Sequence, residues 1–311
     1  MKNIDHKRRR ASSIKMKICE LLKSGYSNIS LVRDAAFIDS EVVLAHILGE
    51  TKEYLLAHGD EEVSSSDELL FNSYIDRIVL GEPVAYITCR KEFYGNDFFV
   101  DKRVLVPRPE TEMIVEKVIE FLEAVVKYGD GSRKLKLVDV GTGSGNIAIS
   151  IAKHFRDYLD DPLDEVFAVD ISEDALEVCR INIGQHGLED KIQAFASDLL
   201  EFLEEGESCD IIVANLPYIG EVEDRFVEKN VEDFEPNVAL FGGNDGLELY
   251  KKMFQQIKEK DVKFRLMIGE FGFAQGEKMK ELLSKYFEQD EWKIEEDLAG
   301  IPRIFIVKKK Y

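Results

Sequence analysis

No apolar run in the chain approaches the roughly 20 residues of a membrane-spanning helix, and the N-terminus lacks the apolar core of a signal peptide. These two absences predict a protein that does not enter a membrane, and the expected location is the cytoplasm. Cysteine is scarce and dispersed: Cys19, Cys89, Cys179 and Cys209 lie far apart with no C-x-x-C pair, and the five histidines are equally scattered. Neither a zinc site nor a disulfide framework is indicated, and reduced thiols suit the same compartment. Positive charge is also in deficit. With 41 Lys and Arg against 61 Asp and Glu, the formal charge of −20 speaks against extensive, sequence-independent contact with a phosphate backbone. The local exception is a basic tail in residues 1–11, around Lys7-Arg8-Arg9-Arg10, which reads as a solvated segment with RNA contact as the lesser alternative.

What is present points to two domains: 311 residues with 45% hydrophobic content are ample for a buried core. Residues 12–85 carry helical periodicity with no strand signal. Ile38, Val42, Ala45 and Leu48 share one predicted face, and Ser65 with Glu68 forms a capping box before a stripe of Leu70, Tyr74 and Ile78. Gly81 and Pro83 supply the stop. Over 86–106 the pattern turns aromatic and β-branched around Gly95-Asn96, predicting a linking β-hairpin. Residues 107–311 then begin with Pro107-Arg108-Pro109-Glu110-Thr111-Glu112, where a proline in the first turn and acidic residues suit a helix start.

Beyond that point strands and helices alternate, with strands expected at 165–170, 192–196, 210–214 and 264–269 and a terminal antiparallel pair at 292–296 and 303–308. This is the pattern of a doubly wound, Rossmann-like α/β sheet, whose ligand lies across the carboxyl ends of the strands. The stretch from Leu135 to Ala152 reads as strand, glycine turn and helix start. Gly141, Gly143 and Gly145 remove side chains that would hold a ligand off the backbone, with Thr142 and Ser144 between them, and the next helix directs free N–H groups to the same spot. A nicotinamide fingerprint would need its third glycine at Asn146, so the dinucleotide reading is weakened. Asp170 ends the next strand where an acidic side chain accepts ribose hydroxyls, and Asp198, followed by Leu199, sits where it can reach an adenine amino group. Both positions equally suit a helix cap. Asp139 can brace the loop instead.

The sharpest motif follows the fourth strand: Asn215-Leu216-Pro217-Tyr218. A planar NH₂ group is a poor nucleophile because its lone pair is delocalised. The Asn215 side-chain oxygen and the Leu216 carbonyl can accept both of its hydrogens, and the Tyr218 ring can pack against it. An Asn-Pro turn is the bland alternative.

On these residues the chain resembles the bacterial release-factor glutamine methyltransferases of the HemK/PrmC family. The likeness spans nearly the whole chain, through P-R-P-E-T-E at Pro107 to Glu112, the glycine loop, Phe234-Glu235-Pro236, Gly242 to Leu247, Glu270-Phe271-Gly272 and Gln275-Gly276. The resemblance implies S-adenosyl-L-methionine as donor, S-adenosyl-L-homocysteine as product, and as acceptor the glutamine nitrogen N5 in the G-G-Q motif of class-one peptide-chain release factors. It further implies a donor site of Gly141, Thr142, Gly143, Ser144, Gly145, Asp170, Asp198, Leu199 and Asn215, a catalytic segment of Asn215 to Tyr218, no metal, and a helical domain that docks the protein substrate. One departure stands out: the family's N-P-P-Y is here N-L-P-Y, with Leu216 in place of the first proline. N-L-P-Y also resembles rRNA adenine N6-methyltransferases, so RNA adenine methylation, or a catalytically weakened release-factor binder, are the alternatives.

Overall fold

The computed structural model describes residues 15–128, 134–156, 161–223 and 225–309. The expected basic tail lies outside the described residues. The chain divides after Thr88 into two compact units.

The first unit is helical: α1 (Ile18–Ile29), α2 (Ala36–Leu48), α3 (Lys52–Ala57), α4 (Ser65–Val79) and α5 (Val84–Thr88). Its core includes Leu21, Val43, Leu44, Phe71, Ile75 and Ile78. The buried face of α2 is rotated from the expected one. Ala36, Ser40, Val43 and Leu44 face inward, while Ile38 is 56% exposed and Val42 and Leu48 are only partly covered. Apolar residues surround α2 almost completely, so periodicity alone does not select a face. Ser40 is small enough for the inner face and returns its hydroxyl to the Ala36 carbonyl at 2.8 Å. In α4 the cap is Ser64 rather than Ser65, accepting from the Asp67 N–H at 3.2 Å. Three consecutive serines offer equivalent caps, and Ser64 is the one in the extended conformation that a cap requires. The inward stripe of α4 is Phe71, Ile75 and Ile78, with Leu70 turned outward.

The second unit opens with the hairpin, β1 (Lys91–Phe93) and β2 (Asn96–Phe98). Its register pairs Phe93 with Asn96, so the turn residues are Tyr94 and Gly95, one position earlier than Gly95-Asn96. Both have positive φ, which matches a type I′ turn, and the Asn96 side chain donates to the Tyr94 carbonyl at 3.0 Å. Tyr86, Ile87 and Thr88, expected in the hairpin, complete α5 instead.

A single 3₁₀ turn (Pro109–Thr111) leads into α6 (Glu112–Tyr128), as the proline predicts. There follow β3 (Leu135–Val140), α7 (Asn146–Phe155), β4 (Leu163–Asp170), α8 (Glu173–His186), β5 (Ile192–Ala196), β6 (Ile211–Ala214), α9 (Lys229–Phe234), α10 (Asn237–Leu240), α11 (Glu248–Glu259), β7 (Leu266–Glu270), α12 (Gly276–Tyr286), β8 (Glu291–Glu296) and β9 (Pro302–Lys308). The seven-stranded sheet has the order β5-β4-β3-β6-β7-β9-β8, with parallel pairing from β5 through β7 and β9 running antiparallel to both of its neighbours, β7 and β8. Strand β6 is buried along its whole length, as expected for a central parallel strand covered on both faces. At one edge, β8 carries Glu291, Lys293 and Glu295, charges that discourage pairing with another sheet. The sheet reverses direction of growth at β3, whose neighbours are β4 and β6, which places the ligand crevice there. Among the described residues no helix is long and apolar enough to cross a membrane.

Candidate active site

A cavity of ≈ 250 Å³ opens at the carboxyl ends of β3, β4, β5 and β6. Its wall contains Gly141, Thr142, Gly143 and Ser144 after β3, Asp170 after β4, Asp198 and Leu199 after β5, and Asn215, Leu216 and Pro217 after β6. The topology thus gathers these residues from four separate strand ends. Gly145 and Tyr218, predicted with them, do not line this cavity.

The glycine loop is held by its own backbone and by two carboxylates. Gly141 and Thr142 donate to the Val169 carbonyl at 2.8 and 3.0 Å, and Gly143 donates to Asp170 Oδ2 at 2.9 Å. Asp170 Oδ1 accepts from the Ser172 N–H at 2.9 Å, so this side chain both shapes the loop and faces the cavity. Burial raises its pKa, against the backbone bonds that favour the charge. Asp139 braces the loop from beneath: Oδ2 accepts from the Thr142 hydroxyl at 2.8 Å and from the Ala148 N–H at 3.2 Å. Complete burial pushes the Asp139 carboxyl up to about 7. The glycines differ in function. At Gly143, φ is +54° and a Cβ would meet nothing within 4 Å, so the space beside it is open for a ligand. At Gly145, φ is +81° and a Cβ would stand 2.9 Å from the Cys179 sulfur and from Ile149, so this glycine serves helix packing.

Asp198 meets Lys252 in an ion pair, and its backbone carbonyl accepts from Gln256 Nε2 at 3.1 Å. Leu216 is 2% exposed, its side chain packed in the core over Gly141.

Asn215 lies in a polar network that neither local spacing nor composition reveals. Its Nδ2 donates to the Thr111 hydroxyl at 2.9 Å and to Glu270 Oε2 at 3.1 Å. Thr111 in turn donates to Glu270 Oε2 at 2.6 Å, and the Tyr218 hydroxyl donates to Glu270 Oε1 at 3.3 Å. Glu270 is 1% exposed, and burial pushes its carboxyl up to about 7 against the pull of Thr111, Arg303 and Tyr218. Tyr218 is likewise raised, first by burial and then by the Glu270 charge. The P-R-P-E-T-E segment is therefore more than a helix start. Thr111 enters this network, and Arg108 pairs with the buried Glu235, which also accepts the Val106 N–H at 3.1 Å.

Two further side chains hold the loops in place. Gln275 is buried, donates to the Tyr218 and Asp245 carbonyls at 2.7 and 3.0 Å, and accepts from the Gly272 N–H at 2.9 Å. Asn182, also buried, joins the Ser144 carbonyl at 2.8 Å to both backbone groups of Phe99. Glu235, Glu270 and Gln275 are visible in the sequence only as parts of a family pattern. Asn182 carries no such signal.

Comparison with known proteins yields two family models, one described as the PrmC N-terminal domain over residues 20–88 and one described as a methyltransferase domain over residues 132–288. Similar curated proteins are named release factor glutamine methyltransferase. That of Koribacter versatilis is 36% identical over 272 residues, covering 88% of this chain and 91% of its own. The Clostridium acetobutylicum protein is 38% identical over 246 residues, with 78% and 82% covered, and that of Bacillus subtilis 37% over 267 residues, with 85% and 88% covered. Among solved structures, the hMettl16 catalytic domain in complex with a MAT2A 3′UTR hairpin aligns with a TM-score of 0.52 at 13% identity, covering 86% of this chain and 91% of that one, a likeness of fold alone.

Proposed function

Since the chain belongs to the release factor glutamine methyltransferase family, we propose that it transfers a methyl group from S-adenosylmethionine to the side-chain nitrogen N5 of the glutamine in the G-G-Q motif of class-one peptide-chain release factors. The observation that carries this reading is the meeting of a glycine loop and the Asn215 amide on one cavity wall. The residues present fit the donor. Open space beside Gly143 admits a ligand against the backbone, Asp170 presents a carboxylate, and Ile171, Leu199 and Leu249 supply apolar lining. When bound, S-adenosylmethionine supplies a methyl group on a sulfonium, a leaving group that departs as a neutral thioether.

The chain's own residues then position and desolvate the acceptor. The Asn215 side-chain oxygen and the Leu216 carbonyl accept the two hydrogens of the glutamine NH₂, leaving its nitrogen free to face the methyl group. Holding the reactants in this arrangement is the main source of rate, which orientation can supply on the order of 7–11 kcal/mol. The same two oxygens stabilise positive charge that grows on the nitrogen, which then gives up one of its two hydrogens to solvent as a proton and leaves a neutral N-methyl amide. Leu216 keeps the backbone carbonyl that the family's proline would offer, and its buried side chain fixes that backbone by packing.

Adenine N6-methylation of RNA, raised by Asn-Leu-Pro-Tyr, is the less favoured reading, because the relatives named for glutamine methylation match over most of the chain and the helical unit matches the PrmC N-terminal domain. We assign that helical unit the docking of the protein substrate. Tyr26, Leu31, Val32, Phe37 and Ile38 are exposed on it, an apolar surface suited to a folded partner. Calorimetric titration with S-adenosylmethionine, followed by turnover with methyl-labelled donor, tests the reading: saturable binding with transfer to release factor supports it, and binding without turnover identifies a weakened binder.

A further inference from the structure

We propose that Glu270 is a positioning residue for methyl transfer, whose carboxylate locks the Asn215 amide with its oxygen toward the cavity. The inference rests on the proposed role of Asn215 as acceptor of the substrate NH₂ hydrogens.

The proton inventory of the network has one solution. An amide NH₂ carries two donor hydrogens and each hydroxyl one, whereas an ionised carboxylate only accepts. Four hydrogens are available from Asn215, Thr111 and Tyr218. Asn215 gives one to Thr111 Oγ1 and one to Glu270 Oε2, Thr111 gives its own to Glu270 Oε2, and Tyr218 gives its own to Glu270 Oε1. The amide nitrogen must therefore face inward and Oδ1 outward. Turning the amide over would set Oδ1 against a carboxylate oxygen and deprive Thr111 of its donor. It would also present N–H groups to the substrate NH₂, so that donors face donors. The carboxylate has a second effect: a negative charge behind the amide nitrogen polarises the group so that Oδ1 becomes a stronger acceptor where positive charge develops.

This arrangement is held most firmly while Glu270 is ionised and both of its oxygens accept. Groups facing it from the packed elements are Arg303 on β9, Glu110 and Thr111 in the 3₁₀ turn, and Tyr218 after β6; the Tyr250 hydroxyl on α11 binds the Glu270 backbone carbonyl at 2.5 Å. Arg303 favours the charge and Glu110 opposes it. With burial as the largest influence, the carboxyl takes up its proton near pH 7. Once protonated it loses its negative charge and one acceptor site, so its hold on the Asn215 amide and the polarisation of Oδ1 both weaken. Activity should then carry an acid limb near neutrality that is not set by the donor or by the glutamine.

The test uses the full-length protein. In Glu270→Gln, kcat on release factor should fall about 10–100-fold, with donor affinity unchanged, and the acid limb should vanish. Thr111→Val should lower kcat without removing that limb, and Thr111→Ser should restore it; these two variants carry the test should Glu270→Gln not fold. An acceptor-independent readout is the Asn215 side-chain amide resonance, identified by its loss in Asn215→Asp. In the wild type it should titrate near pH 7, and in Glu270→Gln it should not. An unchanged titration, or full kcat with the acid limb intact in Glu270→Gln, overturns the inference. A wild-type protein inert on release factor but showing the titration contradicts the function while leaving the positioning intact.

Discussion

Nδ2 of Asn215 lies 3.1 Å from Oε2 of Glu270, so the amide that ends β6 at the cavity wall is backed by a buried carboxylate from the neighbouring strand. The amide is thus held from behind by its nitrogen, which leaves Oδ1 for the proposed contact with the substrate NH₂. Asn215→Ala should retain S-adenosylmethionine binding and lower turnover by about 10²–10³, the loss seen when one preorganised polar partner of a transition state is removed. Calorimetry and steady-state kinetics on the same variant check this. A parallel fall in donor affinity would mean that Asn215 serves the donor rather than the acceptor.

The two glycines Gly143 and Gly145 should separate under substitution. Gly143→Ala meets no neighbour, so its cost to stability is that of a left-handed alanine, about 1–2 kcal/mol, while a methyl group in the ligand space should weaken donor binding at least ~10-fold. Gly145→Ala adds contact with Cys179 and Ile149 to the same strain and should lower the melting temperature further. Thermal denaturation and titration of both variants check the contrast. Equal donor affinity in Gly143→Ala and wild type would reduce the loop to a tight turn.

Much of the site is legible because its signals are local. The glycine spacing, Asp170 at a strand end and Asn215 two residues ahead of Pro217 each identify themselves within a few residues, and the switch-point rule then brings them together. Glu270 is different. Its partner Thr111 is 159 positions away and Asn215 is 55 positions away, so its importance arises from tertiary contact. Asn182, reaching Phe99 across 83 positions, is hidden for the same reason. In the helical unit, α2 is apolar on nearly every side, and only packing against its neighbours selects Val43 and Leu44 over Ile38. The hairpin turn is displaced by one residue because Tyr94 accepts positive φ, a conformation its side chain does not advertise.

Docking on the helical unit makes a separable prediction. Leu31 is 81% and Phe37 50% exposed, so Leu31→Asp with Phe37→Asp should leave the fold intact. The double variant should raise KM for intact release factor ~10-fold or more and leave methylation of a short G-G-Q peptide unchanged. Equal effects on both acceptors would remove this surface from substrate recognition.

Stability should carry the mark of Glu270. Its carboxyl stands at about 7 in the folded protein against an ordinary 4.5, so between these values the folded state binds the proton more tightly. The stabilisation from this group is complete below pH 4.5 and is lost as pH rises through about 7. Glu270→Gln should therefore gain on the wild type with rising pH, on the order of 3 kcal/mol by pH 8, in exchange for activity. Denaturant melts of both proteins at pH 5 and pH 8 check the sign. A difference that does not grow with pH would place the proton elsewhere.

The atom that receives the methyl group separates protein from RNA methylation most directly. Full-length protein, S-adenosylmethionine and a class-one release factor should be incubated together, and the factor's G-G-Q peptide analysed by fragmentation mass spectrometry, with ribosomal RNA treated in parallel. A single added methyl on the glutamine side-chain nitrogen is expected, with no N6-methyladenine in the RNA. An unmodified glutamine beside newly methylated adenine in the RNA would instead identify the protein as an adenine methyltransferase.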